Sequence, residues 1–285
     1  MYTIDELICV CISRQIKDGE LVAQGIATPL VAAGYLLAKL THAPNLTFVS
    51  AIGQALCRDW APLGIATIEQ LWIGQGLKRF DFVSGTCEYL PRFGPKEFFR
   101  PAQVDPYGNF NNVYLGGSYE KPRLRLPGCG GIPDVTVFEE EVYLYVPRHG
   151  RHTFVPQLDF LSGLGHHPAR REGLGPHYLI SDLGEFDFNG EDNRLRLISL
   201  HEGVTLRRLQ TKTGFDLFLP DTIPTTPPPT AEELRLLRQV IDPLGVRQLE
   251  TLRGAERRQK LREILAAEQQ QQLARLTRPL YYMTP

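Results

Sequence analysis

Near the N-terminus the apolar residues Leu7, Ile8, Val10, Cys11 and Ile12 recur at helical spacing. Thr3 precedes them, with Glu6 three positions further on. A Thr-x-x-Glu start satisfies two orphan backbone donors reciprocally, so a capped helix is predicted, ending at Lys17-Asp18-Gly19. Glu20–Ala23 then predicts a short strand, and the stretch from Gly25 to Pro29 a tight turn. Thr28 as cap with Pro29 at the first helical position predicts a second helix through Leu30–Lys39. His42-Ala43-Pro44-Asn45 breaks that helix, and Leu46–Val49 predicts a second buried strand. Strand, turn, helix and strand in this order form a βαβ unit. The fold class that follows is α/β: an open, largely parallel sheet with helices on both faces and ligands bound at the carboxyl ends of its strands.

Further strands are predicted at Phe80–Ser84, Leu124–Leu126, Val135–Phe138, Val142–Val146, Tyr178–Ser181 and Leu195–Ser199. No internal repeat is found. Prolines at 220, 224, 227, 228 and 229 predict an extended connector. Thr230 then caps a helix over Glu232–Ile241, which stops at Asp242-Pro243. Glu250–Leu276 reads as a charged helix with four glutamines at Gln269–Gln272, solvated or facing a partner. The expected organisation is an α/β domain over residues 1–245 and a C-terminal helical extension over residues 246–285.

Composition narrows the function classes. The chain has 285 residues, 42% hydrophobic and 22% charged, which is enough to bury a sizeable core. A formal net charge of -1 gives no basic face for nucleic acid. Asp5 and Glu6 stand where a leader would carry basic residues, and the apolar stretch around Leu30–Leu40 is too short and interrupted to span a bilayer. The five cysteines are odd in number and form no Cys-x-x-Cys pair, so neither a disulfide framework nor a metal site is expected, and a cytoplasmic location fits best.

Three segments are candidates for chemistry. Gln103 to Asn111 contains Asp105-Pro106-Tyr107-Gly108-Asn109, turn chemistry that also gathers Gln103, Asp105, Asn109 and Asn111 on one loop. Pro127-Gly128-Cys129-Gly130-Gly131-Ile132-Pro133-Asp134 is a glycine loop whose main-chain N–H groups can approach a carbonyl oxygen or phosphate; the bland reading is a tight turn. Ser50-Ala51-Ile52-Gly53-Gln54 closes a predicted strand, where catalytic groups sit in such folds, yet it holds no carboxylate, cysteine or histidine. Ser50 is a nucleophile candidate without an identifiable base. His149, Arg151 and His152 form a basic cluster that either meets phosphates or faces water, and His166-His167 lies in a loop with Arg170 and Arg171. Cys57 and Cys129 read as small apolar residues rather than nucleophiles.

Taken together, these segments resemble the β subunit of glutaconate CoA-transferase and its relatives, the family I CoA-transferases. The resemblance covers roughly residues 3–245. It rests on Gln15–Gly19, Gly25–Pro29, Thr41–Asn45, Gln103–Asn111, Gly128–Gly131, Ile180–Phe186, Thr213–Asp216 and Ile241–Pro243, in order. It implies a heterodimer or higher assembly with a homologous α subunit, an active site between the two subunits, and coenzyme A as a thioester substrate, with no metal. In the transferases a β-subunit glutamate in a Glu-x-Gly segment attacks the thioester, and glycine-loop amides hold the oxyanion.

Matching Gly53 to that glycine puts Ala51 where the glutamate should be, and a one-residue slip puts Ser50 there. The implied catalytic positions are Gly130, Gly131 and Ser50. The implied substrate and CoA positions are Gly25, Thr28, Ala51, Gly53, Gln54, Asn109, Asn111, Gly128, Cys129, Ile132 and Pro133. Leu183–Phe188 and Ser199–Thr205 are similar to the glutamate-less subunits that open a ring of a steroid-derived CoA thioester, in which the partner supplies the acid–base. The expected activity is therefore carbon–carbon bond hydrolysis or lyase chemistry; the alternatives are CoA transfer between carboxylic acids and decarboxylation of a glutaconyl-CoA-type substrate.

Overall fold

The computed structural model describes residues 1–25, 28–50, 53–66, 74–139, 141–170 and 175–276. The capping box of Thr3 and Glu6 is formed, and α1 runs over Ile4–Arg14 with its apolar face buried. β1 covers Leu21–Ala23, α2 Pro29–Leu40 and β2 Thr47–Ser50. β1 and β2 pair in parallel, with Val22 beside Phe48, so the predicted βαβ unit is present. α1 and α2 touch at Gly34, where a Cβ would come within 2.6 Å of Ile12 Cγ2; no larger residue lets the helices meet so closely.

The remaining strands of the main sheet are β3 (Ala55–Cys57), β4 (Gly76–Arg79) and β5 (Lys96–Phe99). Two small ribbons follow: β6 (Gln103–Val104) with β7 (Phe110–Asn111), and β8 (Tyr114–Gly117) with β9 (Pro122–Arg125). The main sheet resumes with β10 (Glu141–Val146), β11 (Gly175–Ser181), β12 (Gly184–Asp187) and β13 (Arg196–Leu200). Its order is β13-β12-β11-β10-β5-β1-β2-β3-β4. The five central strands are parallel, and antiparallel pairs extend both edges, so the sheet is mixed with a parallel centre. From β1 the chain turns to one side for β2, then returns to the other side of β1 for β5. That reversal is a topological switch point, where a crevice opens beyond the strand ends.

Both faces of the sheet are covered. α1, α2, Leu237, Ile241, Leu249 and Ile264 pack on one; Phe99, Phe110, Val135, Val142, Leu144, Phe154 and Leu209 form the core of the other. Two predicted strands are helical instead. Asp81 accepts the N–H of Ser84 at 2.9 Å and so starts a helical stretch where Phe80–Ser84 was expected to be a strand. The β-branched run Val135–Phe138 is the end of a helix, Ile132–Phe138, begun after Gly131 with Pro133 in its first turn. The pattern also missed β3, β4, β5, β8 and β12, each only three or four residues long.

Contacts cross the expected boundary at residue 245. Val246–Glu250 is a buried 3-10 turn whose Val246 and Leu249 belong to the α1–α2 core. Glu250 Oε1 accepts the Leu30 N–H at 2.9 Å, which caps α2, whereas the Thr28 hydroxyl donates to the Gly25 carbonyl. The terminal helix Gly254–Leu276 buries Ile264, and Glu268 accepts the N–H groups of Ile65 and Ala66 at 2.7 and 2.9 Å. Among the described residues no helix is long and apolar enough to cross a membrane.

Candidate active site

A cavity of about 810 Å³ opens at the switch point. Ala23, Gln24 and Gly25 line it from the end of β1, Phe99 to Ala102 from the end of β5, and Val146 to Arg148 from the end of β10. Leu126 to Ile132 form another wall, and Phe82, Thr86 and Leu90 a third. Of the expected positions, Gly25, Thr28, Gly128, Cys129, Gly130, Gly131 and Ile132 are therefore brought together.

The glycine loop turns sharply. Gly128 and Gly130 have φ of 106° and 53°, a region that residues with a Cβ seldom occupy. The Gly128 N–H donates to the Asn112 carbonyl at 3.2 Å, and the Ile132 N–H to the Cys129 carbonyl at 3.0 Å. The N–H groups of Cys129, Gly130 and Gly131 donate to no described residue. Such unpaired amides are available to a ligand oxygen.

Other expected positions lie elsewhere. Ser50 is buried, off the cavity wall, and its hydroxyl accepts the Gly53 N–H at 2.8 Å. Gly53 and Gln54 form the β2–β3 turn, and Pro133 also stands off the wall. Ala51 lies outside the described residues. Asn109 is tied to Asp105 through its Nδ2 at 2.9 Å, and its Oδ1 accepts the Gly165 N–H at 2.8 Å. Asn111 donates to Gln103 Oε1 and the Tyr114 carbonyl, both at 2.7 Å, and accepts the Val113 N–H at 2.9 Å. These asparagines knit the loop together and do not line the cavity.

The histidine clusters separate as well. His149 is buried, stacked 3.6 Å from Phe154, with ring nitrogens 3.0 Å from Ser181 Oγ and Thr213 Oγ1. Burial, aided by the charge of Lys212, pushes it down to about 3, so it is a neutral core residue that meets neither phosphate nor water. Arg170 donates to the Thr136 and Leu164 carbonyls at 2.7 and 2.6 Å. Cys57 is buried as expected, while Cys129 is half-buried on the cavity wall.

Two kinds of charged side chain at the site were missed. Arg100 and Arg148 line the cavity, and both bind Glu250: Arg100 Nη1 to Oε2 at 3.0 Å, Arg148 Nε to the carbonyl at 3.2 Å. Burial depresses the Arg148 guanidinium, and the charges of Arg100, Arg253 and Arg257 press the same way. The wall thus carries two cations, Arg100 and Arg148, and two more from the C-terminal extension, Arg253 and Arg257, lie near enough for their charge to reach Arg148. The other is Glu97, on β5, with Glu139 buried behind it. The signal for Glu97 was its place inside Lys96-Glu97-Phe98-Phe99, a charge within a buried strand three residues before Arg100-Pro101.

Glu139 accepts no hydrogen bond at either oxygen. Burial raises it well above the usual carboxylate range, the nearby Glu97 charge raises it further, and Arg170 opposes both. A carboxyl that holds its proton more tightly in the folded state stabilises the fold fully only below its unfolded value of 4.5, and less as pH rises. Glu139→Gln should therefore raise the melting temperature more at pH 8 than at pH 5; an equal change at both pH values would contradict this.

No protein-family model matches the chain. It is 32% identical over 252 residues to the B-type subunit of the 3-oxoadipate CoA-transferase of Pseudomonas knackmussii, covering 83% of this chain and 92% of that one. It is 31% identical over 257 residues to the cholesterol ring-cleaving hydrolase IpdB subunit of Mycobacterium bovis, covering 88% and 99%. The solved structure of the decarboxylase AibA/AibB superposes with a TM-score of 0.74 at 29% identity, covering 86% and 97%. The chain belongs to the family I CoA-transferases, as a β-type subunit of an enzyme of that family. The resemblance drawn from its sequence is borne out.

Proposed function

We propose that this chain, paired with a homologous α-type subunit, binds an acyl-CoA thioester in the switch-point cavity and supports carbon–carbon bond hydrolysis or lyase chemistry without a glutamyl-CoA intermediate. The observation that carries this reading is Ser50-Ala51-Ile52-Gly53, which holds no glutamate where the resembling transferases attack the thioester. Serine and alanine cannot form the acyl anhydride and thioester intermediates of transfer. The amides of Gly130 and Gly131 would instead polarise the thioester carbonyl and hold the enolate formed when a carbon–carbon bond breaks. Arg100 and Arg148, with Arg253 and Arg257 behind them, suit the phosphates of CoA. Exposed Phe82 and Val83 by the cavity mouth offer apolar surface to the α-type subunit. Similarity to a ring-cleaving hydrolase subunit and to a decarboxylase supports the same chemistry.

The second reading is CoA transfer, favoured by the similarity to a 3-oxoadipate CoA-transferase. The two part on a trapping experiment. The assembled complex is incubated with a panel of short acyl-CoA thioesters and quenched with hydroxylamine or borohydride, and this chain is then weighed by mass spectrometry. No adduct is expected; a stoichiometric one on this chain would replace the first reading with the second.

A further inference from the structure

Loop amides polarise a thioester but cannot move a proton, and the carbon–carbon hydrolysis and lyase reactions of the first reading both end by protonating a carbanion. Among the described residues lining the cavity, Glu97 is the side chain suited to do this. It lies on β5 at the switch point, beside Ala23 of β1. Alternation along β5 sends Phe98 into the α1–α2 core and puts Glu97 with Phe99 on the opposite face, the side of the glycine loop. It makes no hydrogen bond or ion pair with any described residue. Gly25 leaves the space over its carboxylate open: a Cβ there would stand 3.4 Å from Oε1. Behind it, buried Glu139 has both oxygens unpaired, close enough for the two charges to interact.

We propose that Glu97 is the acid–base that this chain itself contributes, protonating the carbanion formed in the cavity. Burial and the nearby Glu97 charge both raise Glu139, so this deeper carboxyl keeps its proton and adds no second negative charge to the pocket. Burial pushes Glu97 up to about 7 even though the cavity leaves it in contact with water, which suits donation and uptake near neutrality.

In the hydrolytic case water adds to the carbonyl β to the thioester and the bond between the α- and β-carbons breaks. The electron pair of that bond enters the thioester as an enolate, and the Glu97 carboxyl gives its proton to the α-carbon. The proton released by the water restores Glu97. In a decarboxylation the proton comes back from solvent. Neither case needs a further co-reactant.

The inference rests on the acyl-CoA reading, and its test separates the two. The assembled α/β complex is given butyryl-CoA in D₂O, and deuterium at the α-carbon is followed by NMR, with CoA binding measured by calorimetry. Wild type should exchange, at a rate that climbs with pH through about 7. Glu97→Gln, of the same shape, should lose at least ~100-fold in rate and lose the inflection, with CoA affinity unchanged. Glu97→Asp should keep the inflection at a reduced rate. Four results would overturn the proposal: exchange at the wild-type rate in Glu97→Gln, exchange without the inflection in wild type, no exchange by a wild-type complex that binds CoA, or a trapped acyl adduct on Glu97. If Glu97→Gln does not assemble, Glu97→Asp decides, and an unaltered rate there overturns it too. A wild-type complex that binds no CoA instead removes the acyl-CoA reading itself.

Discussion

Gly131→Leu should lower turnover of the assembled enzyme by ~10²–10³-fold, the usual effect of losing one oxyanion donor, while leaving the fold nearly as stable. Gly131 has φ of -84°, which any residue adopts, so the substitution strains no backbone. A Cβ at this position would come 2.9 Å from Thr86 Cγ2, tighter than real contacts allow. Thr86 lies in the helical stretch after Asp81, and its methyl is the tip of a short side chain; the glycine loop, the less regular of the two, should yield. A shift of a few tenths of an ångström breaks the 2.7–3.1 Å geometry that oxyanion donors need. The leucine side chain would also enter the cavity that Gly131 lines. Gly130→Ala is the contrast. Nothing stands within 4 Å of its Cβ position, but φ is 53°, so stability should drop by roughly 1–2 kcal/mol from backbone strain alone. Turnover and melting temperature measured side by side on the two variants check the assignment. Wild-type turnover in Gly131→Leu would remove the loop amides from the mechanism.

How much of this was legible in the sequence depends on how local each signal is. The capping box at Thr3, the Thr28-Pro29 helix start and the glycine loop are written in neighbouring residues, and each formed. β5 was not legible, because four residues reading Lys-Glu-Phe-Phe carry no usable period; its neighbours β1 and β10 make it a central strand. Glu97 was missed with it, and so was the acid–base candidate at the switch point. Ser50 was legible as a strand end but not as a hydroxyl already occupied by Gly53, since that contact depends on the hairpin into β3. The C-terminal extension was read as solvated or partner-facing because Glu250 bonds to Leu30, Arg100 and Tyr145, 105 to 220 residues away in sequence. No local pattern announces a cap supplied from that distance.

The same long-range closure sets the second large effect: Arg247→Met should destabilise the chain by roughly 3–5 kcal/mol at neutral pH, the cost of stripping buried carboxylates of their cation. Arg247 is 3% exposed and reaches three acids: Asp5 Oδ2 at 2.8 Å, Glu6 Oε1 at 3.1 Å and Asp242 Oδ2 at 2.9 Å. The Asp5 contact is an ion pair without hydrogen-bond alignment, since Nε and Oδ2 are left unpaired by angle. The acids do not respond alike. Burial would raise Glu6, but Arg238, the Thr3 N–H and hydroxyl, and Arg247 together hold it down at about 2. Asp242 is deeper, and burial outweighs Arg247 and the two N–H groups it accepts, so it is raised. For Glu6 the sign is that of a depressed acid: its stabilisation is complete above the unfolded value of 4.5 and disappears as pH falls toward 2. In Arg247→Met the stranded acids can relieve their burial by taking up protons, so the deficit relative to wild type should shrink over that same pH interval. Urea unfolding midpoints at pH 7, 4.5 and 3 test both statements. A deficit of the same size at all three would mean that the side chain acts through packing of its aliphatic stem rather than its charge, and that the α1 N-terminus is held to Asp242 by something other than this ion network.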